Sequence, residues 1–142
     1  MDYKKTENEY YLRIDKGEEI VSKILDLCKK ENIKTAHFQG IGACDKVICQ
    51  TLDIKNHTFI NHEKTGMLEM ISLLGNIAED DSGNLSFHAH ASFSYIEGDD
   101  VKLFGGHLRE AYVCYTGEII VSPTEHTVKR STETGMNLWK FN

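Results

Sequence analysis

Hydrophobic spacing changes character once along this chain, from the period of a helix to the period of strands. EYYLRI (9–14) suits a first strand, ended by Asp15-Lys16-Gly17. EEIVSKILDLCKKEN (18–32) then places Ile20, Ile24, Leu27 and Cys28 at helical spacing, with Val21 and Leu25 widening the stripe. Glu18 and Glu19 open this helix and Lys29-Lys30 close it, as the helix dipole favours. From Ile33 onward the pattern is that of strands: 33–43, 46–54, a short 57–61, the strongly apolar 67–77, then 85–96, 102–108, 110–121 and a closing 137–141. One long helix ahead of many hairpin-linked strands predicts an α+β domain with a largely antiparallel sheet, spanning residues 1–142 as one unit.

The alternation is clearest in SFHAHASFSY. Phe87, Ala89, Ala91, Phe93 and Tyr95 take one face, while Ser86, His88, His90, Ser92 and Ser94 take the other. EGDD (97–100) turns the chain into the next strand. Pairing Ile96 with Val101 puts His90 opposite His107, and His88 lies two residues along the same face. Three imidazoles so placed suit Zn²⁺ and leave a fourth position open to water or a ligand; other divalent transition metals fit the same donors. Gly105 and Gly106, just before His107, remove bulk or form a bulge that aims it. In a flush register Arg109 faces His88, and a cation beside a metal requires either a small anionic ligand between them or a bulge that moves Arg109 away. Glu69, a carboxylate inside an apolar strand, is the other candidate, as a general base, a second partner of a histidine, or one half of a salt bridge with Arg13. His37, His57, His62 and His126 show no comparable arrangement and read as structural or exposed.

Composition narrows the function. With 142 residues, 40% apolar and 27% charged, the chain is long enough for one real core. No apolar run reaches membrane-spanning length, and the polar N-terminus lacks the apolar centre of a secretory signal, so a cytoplasmic protein with no membrane partner is expected. Four cysteines without a CxxC pair read as reduced, buried thiols. The net charge of −6 opposes direct binding to duplex DNA, and Lys129-Arg130 and Lys29-Lys30 read as solvated surface rather than a phosphate-binding patch.

GIGACDKV, GMLEMISLLGNI and FHAHASFSYIEGDDVKLFGGHL, in that order, resemble the PPC (plants and prokaryotes conserved) domain, over about Tyr10 to Trp139. The resemblance implies an α+β fold, a homotrimer, and a metal site at His88, His90 and His107. It also brings the label of DNA-binding protein, which in plant members goes with AT-hook arms; no Arg-Gly-Arg-Pro core occurs here. Self-association is further expected because 67–77 and EIIV are too apolar for one helix to cover. The fold is also similar to that of acetolactate decarboxylase, a zinc enzyme with histidine ligands, which carries no activity across by itself. Two functions stay open: a DNA-associated regulatory module acting through protein partners, which this reading favours, and a small-molecule metalloenzyme using the open metal position.

Overall fold

A computed structural model describes residues 1–133 and 135–141. The chain forms strands β1 (Asp2–Lys5) and β2 (Tyr10–Asp15), helix α1 (Ile20–Lys30), then β3 (Ala36–Asp53), β4 (Thr58–Asp80), β5 (Leu85–Glu97), β6 (Asp100–Pro123), β7 (Lys129–Ser131) and β8 (Leu138–Lys140). The helix contains the whole stripe but is shorter than the expected 18–32 segment. Glu19 caps it, its carboxylate accepting from the backbone N–H of Val21 and Ser22, so Glu18 and Glu19 lie outside the first turn. The same Glu19 carboxylate accepts the Ala111 N–H, which ties the helix start to β6.

Several expected strands fuse. The expected strands 33–43 and 46–54 merge into β3 (Ala36–Asp53), bulged between Gly40 and Gly42 and between Cys44 and Lys46. Likewise 57–61 joins 67–77 in β4, and 102–108 joins 110–121 in β6. Turn-like residues inside an alternating pattern here bend a strand instead of ending it, because a bulge absorbs the extra residue while the ladder continues. Two short strands, β1 and β7, had no expectation.

Eight strands make one sheet, with order β1-β2-β6-β3-β4-β7-β8, and β5 pairs with both β4 and β6. Thus β3, β4, β5 and β6 close a ring, each hydrogen-bonded to the next. The only parallel pairing among the described residues sets Glu79-Asp80 of β4 beside Lys129-Arg130 of β7. The core joins Ile20, Ile24, Leu27 and Cys28 of the helix to inward strand residues that include Phe38, Val47, Leu73, Ile77, Phe93 and Val113. All four cysteines are buried free thiols; burial pushes Cys28 and Cys44 up to about 12 and Cys49 to about 11, which makes them poor nucleophiles. No helix among the described residues is long and apolar enough to cross a membrane.

Candidate metal centre

The β5–β6 hairpin has the expected register: Ile96 pairs with Val101 and His90 with His107. Ala89, Ala91 and Phe93 are buried, which leaves the histidine face turned outward. His90 lies where β5 is paired on both sides, with Leu74 of β4 and His107 of β6. The ligand nitrogens of His88, His90 and His107 all lie within 4.8 Å of one another. Their rings are 4.9 to 5.4 Å apart, centroid to centroid.

Glycines make this approach possible. A Cβ on Gly105 would run into the Ala91 carbonyl, and Gly106, at φ +148°, has backbone that other residues rarely adopt. Across β5, Gly75 stands opposite Ala89, and a Cβ there would meet both the Phe38 ring and the His88 carbonyl.

Burial lowers the proton affinity of His88 and His107, with smaller contributions from neighbouring histidines and from Arg130. Neutral imidazole is the form that coordinates a metal, so this environment suits the donor set to a borderline cation such as Zn²⁺. The convergent nitrogens and the open side beyond His90 fit a three-ligand site with a vacant fourth position.

Of the remaining sequence candidates, neither reaches the histidines. β6 leaves β5 after His107 and pairs with β3, where Ile48 faces Glu110 and Cys49 faces Leu108. Arg109 is the extra residue of that bulge, and its Nε lies 3.6 Å from the Glu110 carboxylate instead of facing His88. Glu69 is exposed and pairs with Ser94, five positions along β4 from Leu74, or roughly 16 Å of strand from the histidine row. Arg13 binds Asp15, at 2.8 Å, and not Glu69.

Arg130 corrects another expectation. It is buried at 4% exposure and not solvated. Its Nη1 donates to the Asn137 carbonyl at 2.8 Å and its Nη2 to Asn76 Oδ1 at 2.6 Å. Asn76 is the β4 residue opposite His88. Arg130 and His57 help line a cavity of about 350 Å³ with His88, His107, Phe59, Phe87 and Leu138. Phe59 stacks on His107 at 5.4 Å. No local signal marked these residues: Arg130 reaches the site through the parallel pairing of β7 with β4, which links positions some fifty apart.

The Plants and Prokaryotes Conserved (PCC) domain profile matches residues 1–125. No curated protein sequence matches the chain. Among solved structures, a candidate DNA-binding protein from Bacteroides thetaiotaomicron is 25% identical, with TM-score 0.90, covering 99% of this chain and 96% of that one. A plant- and prokaryote-conserved (PPC) protein from Pyrococcus horikoshii is 31% identical with TM-score 0.82, covering 99% and 94%. A metal-containing protein from Archaeoglobus fulgidus is 26% identical with TM-score 0.82, covering 99% of both. α-Acetolactate decarboxylase from Bacillus subtilis shares the fold alone, at 12% identity and TM-score 0.55, over 84% of this chain and 54% of that one.

Proposed function

The chain belongs to the Plants and Prokaryotes Conserved domain family, and on that footing we propose that it is a metal-binding, self-assembling module of DNA-associated regulation. The observation that carries the metal assignment is the convergence of His88, His90 and His107. Zinc is the best fit to three imidazoles with an open position. The metal-containing relative supports the same reading.

The DNA association is supported by the description of the Bacteroides relative. At a net charge of −6, contact with DNA is indirect and runs through protein partners. Assembly is a homotrimer in this reading. Tyr11, Ile41, Ile71 and Leu74 are about half exposed or more on the outer face of β2, β3 and β4, an apolar surface that a second copy would cover. Leu74 also borders His88 and His90, so such a contact would run to the rim of the metal site.

A second reading, a small-molecule metalloenzyme, is favoured by one observation: His88 and His107 open into a cavity that also contains a buried arginine. There the metal would polarise a bound oxygen.

Metal analysis of purified variants tests the central claim. The wild type should hold one zinc-class ion per chain, His90→Ala should hold none, and His37→Ala should match wild type. Equal loss from His37→Ala and His90→Ala would refute the assignment.

A further inference from the structure

The cavity between the histidines and the C-terminal strands contains a charge that metal binding does not use. Arg130 is almost wholly buried, yet among the described residues no carboxylate lies within ion-pair distance of it. Its two Nη atoms are engaged by neutral oxygens, from Asn137 and Asn76. Its Nε has no hydrogen-bond partner among the described residues. A buried cation that lacks a counter-charge is costly, and an orphaned N–H adds to the cost. The same guanidinium lines the cavity with His88 and His107, and a metal there would add positive charge to the same wall. Folding therefore leaves a positive charge with one unpaired N–H on the wall of a chamber lined by histidines and by Phe59, Phe87, Met136 and Leu138.

We propose that Arg130 anchors the carboxylate of a small monocarboxylic acid, whose short apolar remainder lies against Phe59, Phe87 and Leu138 beside the histidine centre. The planar guanidinium fork matches a carboxylate or a phosphate. One carboxylate balances one guanidinium. Inorganic phosphate has no apolar part to cover Phe59, Phe87, Met136 and Leu138, which a carboxylic acid's remainder would bury. The volume, about 350 Å³, lies at the small end of ligand cavities and admits a small acid with room to spare. The inference extends the metal-centre reading by naming the class of molecule that shares its cavity.

The test uses the whole chain, zinc-loaded and zinc-stripped, with butyrate, butyramide and inorganic phosphate as probes. Arg130 Nε–H is shielded from solvent and can be followed by ¹H–¹⁵N NMR. Butyrate should shift it saturably and butyramide should not. Arg130→Lys, which loses the fork, should weaken butyrate binding about tenfold or more, the loss of one charge-assisted hydrogen bond. Leu138→Trp, which fills the cavity and keeps the arginine, should weaken it as well and so guards against misfolding of the first variant. An unmoved Nε–H, butyramide binding as tightly as butyrate, or phosphate binding more tightly than butyrate would each overturn the proposal. If zinc fails to bind while butyrate still moves Arg130, the metal reading falls and this one stands. If zinc binds and butyrate leaves Arg130 unmoved, this inference alone falls.

Discussion

Gly75→Ala should damage both the fold and the histidine site through a single methyl group. The new Cβ would lie 2.6 Å from the His88 carbonyl oxygen and 2.7 Å from Phe38 Cε2. Carbon contacts in a packed core settle near about 3.5–4.0 Å, so the ring must move by the better part of an ångström or more. Phe38 is 1% exposed and stacks on Phe87 at 5.1 Å, so it cannot move without breaking that pair. The His88 carbonyl is backbone, and its retreat would widen the β4–β5 ladder next to a ligand. Overpacking of this kind costs about 1–3 kcal/mol, and losing the aromatic pair adds about 0.5–1.5 kcal/mol. A total near 2–4 kcal/mol corresponds to a fall in Tm of roughly 5–15 °C. Urea denaturation at fixed protein concentration measures it, since the proposed assembly would make stability concentration-dependent. Gly98→Ala, in open space at the β5–β6 turn, is the control and should lose only the strain of its positive φ. Zinc affinity of Gly75→Ala should fall as well. A loss of stability below about 0.5 kcal/mol, the range of ordinary surface changes, would refute the packing argument.

Zinc affinity should decline on acidification, because protons compete for the same nitrogens. Burial lowers the proton affinity of His88 and His107, so release should trail below the ordinary histidine range near ~6.5 and not precede it; a titration of zinc content against pH decides this, and release well above that range would contradict it. Sedimentation at micromolar concentration should give about three times the 16.2 kDa chain mass, and Leu74→Glu should reduce it towards one chain with its circular dichroism unchanged. A monomeric wild type would remove the assembly claim. Titration of generic duplex DNA at roughly 150 mM salt should give dissociation constants no tighter than about 10⁻⁴ to 10⁻⁶ M; nanomolar, sequence-selective binding would show that the chain reads DNA directly.

The histidine cluster was legible because its geometry is local. His90 and His107 belong to one hairpin, so turn position and strict alternation determine which residues face each other. The same reasoning failed one step further on. Beyond His107 the partner of β6 is β3, a strand from a different part of the chain, and the bulge at Arg109 follows from that change of partner. Arg130 was misread for a related reason: a basic pair in a polar stretch looks solvated until β7 docks on β4. Glu69 attracted notice as a charge inside an apolar strand, yet β4 buries only alternate residues there, Leu68 and Met70, and Glu69 points away. Helix α1 was readable because its buried stripe repeats within eleven residues, and only its first turn was misplaced, since Glu19 caps the helix from outside.

Closure of β3, β4, β5 and β6 into a ring also constrains how copies of this protein can meet. An open sheet offers its neighbours a rim of unpaired N–H and C=O groups, and association then continues the ladder. Here β3 is bonded to a strand on each side for most of its length, and the two ends of the strand order are short β1 and β8, which bear Lys4, Lys5 and Lys140. Over the closed ring, what β3 and its neighbours offer to another copy is the side chains on their faces. Oligomeric state and chain folding would then be separate properties: in the proposed assembly, a charge placed at Ile41 or Leu74 would disperse the copies without opening the hydrogen bonds of the ring.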